Sequence, residues 1–368
     1  MGLPVQVNKI EALIKSAAAD AGFDLAGIAP AGDHRELEFF PAWIAAGHAG
    51  EMKYMEARDE RGDLKRASLA RVAPWAKSVI VCAINYNTDH PYSTEVQDPS
   101  RGWISRYAWS REDYHDAVMC RVKQVEEALH SAADHLDGEL TTRSYVDTGP
   151  IVERVFAKYA GVGWIGKNTC IINQKMGSWL FLGVILASLE LQPDMPALDR
   201  CGTCTRCIEA CPTDAIPEPY LLDSNRCISY LTIEKRGSIP DEDLRRGMGR
   251  HVFGCDICQD VCPWNRKSPS SAAAEFEPRQ GLVNPALDWI AEMSEEEFRE
   301  TFRRSPVRRA KRAGLRRNAV IAMGNSGNPE FLPLLERLAS DEDELIADTA
   351  RWAANELRNP RRADIPQS

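Results

Sequence analysis

Apolar positions recur at helical spacing from Ile10 to Ala21 and predict a first helix. The next strong signal has a different period. SVIVCAINYN, from Ser78 to Asn87, is a β-branched run suited to a buried strand. Loop residues rich in Asp, Pro and Ser follow it, and amphipathic spacing then predicts a long helix from about Glu112 to His135. RSYVDTG reads as a strand entering a turn, and IVERVFAKYAG as a helix closed by glycine. WLFLGVILASLEL is a second strongly apolar strand. Strands alternating with helices over residues 1–195 predict an α/β domain, in a strand order the pattern does not encode.

Beyond that point the pattern changes twice. Residues 196–266 form a cysteine-rich block, and residues 267–300 read as a linker and helix, with SPSSAAAEFEPRQG from Ser268 as a linker or surface loop. Residues 301–368 return to helical periodicity in RRAKRAGLRRNAVIAMG, PEFLPLLERLAS and DELIADTARWAANELR, separated by NSGNP and SDED. Helices of this length on short turns resemble a HEAT-like repeat.

The composition of the 368 residues, 44% hydrophobic and 27% charged, is that of a globular chain long enough for two or three domains. A net charge of −9 argues against a wholly basic nucleic-acid coat but leaves local patches open. The N-terminus lacks the apolar core of a signal peptide, and the longest apolar run is too short for a membrane span, so a cytoplasmic protein is expected.

Eight of the eleven cysteines fall between Cys201 and Cys262, while Cys82, Cys120 and Cys170 stand singly before them. In a reducing compartment a block this dense reads as metal ligation. CGTCTRCIEACP follows C-x2-C-x2-C-x3-C-P, the compact ferredoxin run, whereas zinc sites usually separate their cysteine pairs. In that run the fourth cysteine serves a second cluster, and Cys227 with CDICQDVCP completes the set. One [4Fe–4S] cluster is therefore assigned to Cys201, Cys204, Cys207 and Cys262, and the other to Cys211, Cys227, Cys255 and Cys258. The alternatives are clusters that only staple a loop-rich segment, or zinc in part of the block. AGVGWIGKNT also offers G-x-G-x-x-G at Gly161, Gly163 and Gly166, but a helix precedes it where a dinucleotide site needs a strand. Such a loop, with Lys167 and Asn168, could instead embrace another large cofactor or be a tight turn.

Taken together, SVIVCAINYN, SRYAWSREDYH, YVDTGPIVER, GVGWIGKNTCIIN, GSWLFLGVI, CGTCTRCIEACPTDAI, CISYLTIEKRG and GCDICQDVCPWN closely resemble the epoxyqueuosine reductases. The likeness runs in order from about residue 8 to 266, and the helical tail also fits. It implies an α+β or α/β fold: a cobalamin-binding catalytic core, a two-cluster ferredoxin-like module and a C-terminal HEAT-like domain. It further implies reduction of epoxyqueuosine to queuosine at the wobble position of transfer RNA by cob(I)alamin attack on the epoxide, in a cytoplasmic monomer fed by an external low-potential electron donor. The D-x-H-x-x-G signature for a lower cobalt ligand is absent, since DYHDAV and DHPYST do not meet it, so an open lower face is expected.

The family's proton donor falls on Asp147, whose pKa burial against a corrin would raise. Arg66, Arg106, Tyr107, Lys167, Asn168 and Ser229 are the expected cobalamin contacts, with Ser229 and Tyr230 of ISYLTIEKRG facing the substrate pocket. TFRRSPVRRAKRAGLRRN carries eight Arg or Lys and no acid between Thr301 and Asn318, and is expected to hold RNA phosphates rather than to be a solvated helix face. Two competing functions are a cobalamin-dependent reductive dehalogenase, which needs no RNA surface, and an electron-transfer adaptor, which needs no pocket ahead of Cys201.

Overall fold

The computed structural model describes residues 4–133 and 139–359. Eight strands run β1 Leu25–Pro30, β2 Ser78–Asn85, β3 Trp103–Ile104, β4 Thr142–Tyr145, β5 Trp164–Ile165, β6 Ile171–Ile172, β7 Leu180–Ala187 and β8 His251–Phe253. Four of them form the main sheet, in the order β1-β2-β7-β4. Every neighbouring pair in it is antiparallel, which corrects the α/β reading to α+β.

The misreading has a physical cause. All eight residues of β2 are buried, and such unbroken apolar runs usually mark parallel strands. Here an antiparallel sheet is covered on both faces. Ile80, Cys82 and Ile84 pack with the helices Pro4–Asp20 and Tyr114–Ala133, whereas Val79, Val81 and Ala83 pack with the helix Glu153–Tyr159. Each fully buried valine or isoleucine contributes about 1.5–3 kcal/mol. The helix expected to reach His135 is seen to Ala133, and the remainder of that prediction lies outside the described residues.

Residues 196–266 contain little regular structure, as a segment folded around metal centres would. Two four-residue helices, Arg206–Glu209 and Ile257–Asp260, carry Cys207 and Cys258. The segment is joined to the catalytic part by parallel pairing of β3 with β8. Asp256, 1% exposed, strengthens the joint by accepting hydrogen bonds from Trp103 Nε1 (2.9 Å), the Arg106 amide (2.8 Å) and the Ser105 hydroxyl.

SPSSAAAEFEPRQG is not a free linker. Ser271 donates its amide to Asn87 O, Phe276 enters the core beside Phe181, and Glu275 pairs with Arg121. The tail forms the helices Lys311–Asn325, Leu332–Leu338 and Glu344–Arg358. Its core is continuous with Trp103, Trp109 and Phe253. Among the described residues no helix is long and apolar enough to cross a membrane.

Candidate active site

Antiparallel pairing brings the end of β2, the start of β7 and the end of β4 to one edge of the sheet, because Asn85 registers with Leu180 and Tyr145 with Val184. A cavity of about 380 Å³ opens there. Tyr86, Leu180 and Phe181 give it an apolar wall, Asp147 and Glu153 a carboxyl edge, and Cys211, Cys227, Cys255 and Cys258 a sulfur-rich side.

Asp147 sits in the turn after β4 at φ 57°, a left-handed conformation that costs a non-glycine residue about 1 kcal/mol or more. The surroundings hold it there. Its amide donates to Glu153 Oε1 at 2.8 Å, and two residues on, Gly149 O accepts from Arg66 Nη2 at 3.0 Å. Arg66 also donates to Tyr54 O (2.6 Å), so it fastens the turn and does not line the cavity.

Two neighbours fix the charge of the carboxylate. Tyr114 donates its hydroxyl to Asp147 Oδ2 at 2.9 Å, and His115 Nε2 lies 3.6 Å from the same oxygen. The other ring nitrogen of His115 contacts Asp113 Oδ1 at 2.6 Å. Burial pushes the Asp147 carboxyl up, but the close approach of the charged His115 and the hydrogen bond from Tyr114 prevail and hold it at about 2. The expectation of a raised pKa is thereby corrected for the protein alone. Burial lowers His115, yet its two carboxylate partners win and lift it to about 9. Burial, seconded by the Asp147 charge, raises Glu153 to about 8. Near neutral pH the protons beside Asp147 therefore reside on His115 and Glu153.

The other expected contacts divide. Tyr107, Asn168 and Ser229 line the cavity. Arg106 does not: it is 2% exposed, donates to Thr88, His90 O and Pro91 O, and stacks on Tyr92, Trp109 and Trp179. Lys167 is likewise internal, spending its ammonium on Gly202 O (2.8 Å) and Cys204 O (2.9 Å). Asn168 reaches the other cysteine loop, at Cys258 O (3.2 Å). The glycine-rich loop thus clamps both cysteine loops, and Gly163 permits it by lying against the carbonyl of Ile172. Tyr230 is turned away from the cavity, packed under Gly50 and accepting from the Glu51 amide at 2.7 Å.

Cys211, Cys227, Cys255 and Cys258 share the cavity wall. Cys201 and Cys262 pack with Trp164, Ile172 and Trp264, and burial, seconded by nearby Cys201 and Cys204, raises the Cys207 thiol. Among the described residues no three His, Cys, Asp or Glu side chains converge tightly enough for a single ion. Cys170, left without a role by its position in the sequence, faces the cavity and hydrogen-bonds Cys258.

The basic run is only partly a surface. Arg316 and Arg317 are buried; Arg317 donates to Leu231 O (2.6 Å), Lys235 O (3.0 Å) and Gly237 O (2.6 Å), and Arg316 to Ala291 O (2.7 Å) and Asp341. Arg309 pairs with Glu234 and lies 5.1 Å from the ring centre of Tyr54, where Arg66 also stacks. Arg303, Arg308 and Lys311 remain exposed.

Sequence reasoning missed Tyr114, His115 and Glu153. The signal existed in DYH and in YVDTGPIVER, but DYH was weighed only as a cobalt-ligand motif.

The family described as a 4Fe-4S double cluster binding domain matches residues 200–265, and that described as epoxyqueuosine reductase QueG, DUF1730, matches residues 66–148. The epoxyqueuosine reductase of Synechocystis sp. is 44% identical over 297 residues, covering 80% of this chain and 98% of its own. That of Vibrio cholerae is 39% identical over 345 residues, covering 93% and 90%. A crystal structure of epoxyqueuosine reductase with an epoxyqueuosine-modified tRNA-Tyr stem loop superimposes with a TM-score of 0.83 at 29% identity, covering 95% of this chain and 91% of that one. The chain belongs to the epoxyqueuosine reductase family.

Proposed function

We propose that the Asp147 cavity is where this oxidoreductase reduces epoxyqueuosine to queuosine at the wobble position of transfer RNA. One observation carries the proposal: a carboxylate with a histidine beside it shares a cavity with four cysteines of a double-cluster motif. Removing an epoxide oxygen to leave an alkene consumes two electrons and two protons and releases water. The cavity combines a proton source with a metal-ligating wall, which is what that stoichiometry requires.

The two cysteine quartets would each hold a [4Fe–4S] cluster, the inner one facing the cavity and the outer one behind it. Cobalamin fits the residues present. The wall of Tyr86, Leu180 and Phe181 suits the face of a macrocycle, while Ser229, Asn168 and Tyr107 offer polar atoms to its amide-bearing edge. Bound there, cobalamin supplies a strongly reduced cobalt able to attack an epoxide carbon.

Asp147 then passes to the epoxide oxygen the proton that His115 holds across the 3.6 Å contact. Tyr114 keeps the carboxylate aimed into the cavity. Arg309 and Arg66, stacked on Tyr54, stand near the carboxylate edge, where an anticodon loop with an unstacked base would arrive. The HEAT-like tail would support the RNA stem through Arg303, Arg308 and Lys311.

Visible absorption titration with cobalamin tests the location. Wild-type protein should bind one equivalent. Ser229→Trp, which fills the cavity, should lose cobalamin while keeping its iron and its affinity for the RNA stem loop. Unchanged cobalamin binding in that variant would put the cofactor elsewhere.

A further inference from the structure

The outer quartet lies beneath an unusual piece of surface. Met195 and Leu198 are 86% and 75% exposed, more than any other large apolar side chain among the described residues. The strap that carries them is tied down. Asp194 bonds Ile28 through both its amide (2.8 Å) and its carboxylate (2.9 Å), and pairs with Lys15 at 2.5 Å. Two residues beyond Met195, the Ala197 amide donates to Lys158 O at 2.9 Å, and Ala197 packs against the group formed by Cys201, Cys262 and Trp264. The two apolar side chains are thus presented by an anchored backbone directly before the first cysteine.

Cations accompany the cysteine loops against which this strap packs. Arg200 and Arg206 flank the Cys201–Cys204 loop, and Arg266 and Lys267 follow Trp264. All four are exposed, and none makes a side-chain hydrogen bond or ion pair among the described residues. The nearby acids are occupied: Asp194 as above, Asp199 by the Cys201 amide (2.7 Å) and Tyr220, and Glu209 by Thr205 at 2.5 Å. In a chain of net charge −9, four uncommitted cations along these loops are a local reversal.

We infer that this surface docks an acidic protein carrier that delivers electrons one at a time to the outer quartet. The inference rests on the reading that the cysteines hold clusters. Each encounter oxidises the carrier by one electron and reduces the outer cluster by one, with no proton transferred, and two encounters supply one turnover. Met and Leu give a small, adaptable apolar contact, and the cations steer an acidic partner, a combination suited to brief docking. The exposed Tyr220 ring beside Asp199 could stack a base, so RNA is the other occupant the test must exclude.

The test uses iron-loaded protein, with reduced plant-type [2Fe–2S] ferredoxin as the acidic probe and methyl viologen radical as a small reductant. Two double variants are compared with wild type: Arg200→Glu with Arg266→Glu, and Met195→Ser with Leu198→Ser. Stopped-flow reduction of the clusters by ferredoxin should slow roughly tenfold or more in the charge-reversed protein and lose its decline with added salt. Calorimetric ferredoxin binding should weaken in the apolar variant, whose changes lie outside the cysteine loops. Reduction by methyl viologen and the iron content should match wild type in both. Unaltered ferredoxin rates and affinity in iron-replete variants would overturn the inference, as would displacement of ferredoxin by the RNA stem loop. Wild-type protein that failed to hold two clusters would overturn the cluster reading first and this inference with it.

Discussion

At neutral pH the Asp147 carboxyl is ionised and the imidazole beside it is protonated, so delivery of a proton to an epoxide depends on His115 staying charged. The single-turnover rate should therefore fall as pH rises through about 9, and His115→Gln should be slow and lack that limb. A pH–rate profile identical in the two proteins would remove His115 from the proton path. The same groups shape stability. His115, raised from 6.5, adds stability that is complete below pH 6.5 and lost as pH climbs through about 9; Asp147, lowered from 3.8, adds stability present above 3.8 and lost as pH falls towards 2. Glu153 acts in the other sense. Its carboxyl stays neutral in the fold up to about 8 but ionises near 4.5 in the unfolded chain, so it lowers stability progressively between those values. Glu153→Gln keeps an acceptor for the Asp147 amide and should gain in melting temperature over wild type at pH 8 but hardly at pH 5. Parallel curves at the two values would contradict that assignment. Asp147 was legible in the sequence, because its motif carries it. His115 and Tyr114 were not, since the fold alone brings DYH to a turn more than thirty residues later. Arg106 and Lys167 misled for a related reason: a conspicuous cation gives no sign of the backbone carbonyls on which the fold will spend it.

Among the elements, the apolar runs located β2 and β7, overrunning their C-terminal ends by two and four residues, yet their relative direction stayed hidden. Covering both faces of an antiparallel sheet erases the alternation that would have revealed it. The helix Lys311–Asn325 is a second instance. Its basic run read as one RNA-binding stripe, but from Leu315 to Gly324 this helix is buried all round, Arg316 and Arg317 included. Two experiments separate the roles. Arg317→Met strands three carbonyls and should cost about 2–4 kcal/mol in urea unfolding. Replacing Arg303, Arg308 and Lys311 together by Ala should leave stability within about 0.5 kcal/mol. It should reduce the salt slope of stem-loop binding by roughly 2–3, at about 0.7–0.9 for each lost phosphate contact. An unchanged slope would return these three cations to ordinary solvated surface.

For the molecule as a whole, the changes of composition along the chain say nothing of the contacts that cross them. Trp103 and Trp109 of the catalytic part share a core with Phe253 of the cysteine segment and Trp352 of the tail, and Phe276 draws the supposed linker into the catalytic core. Such contacts join residues far apart in sequence, beyond the reach of local periodicity. Electrons entering at the outer quartet would leave through the inner one beside Asp147, and protein prepared without air should hold about eight irons per chain. The central claim is that Asp147 hands a proton to the epoxide in this cavity. Its most direct test is anaerobic single turnover of an epoxyqueuosine-containing stem loop by Asp147→Asn, followed by mass spectrometry of the RNA, with iron, cobalamin and RNA binding verified first. Conversion to queuosine should be slower by about 10²- to 10⁴-fold than in wild type, with the cofactors reduced normally. Wild-type conversion by the fully loaded variant would contradict the account.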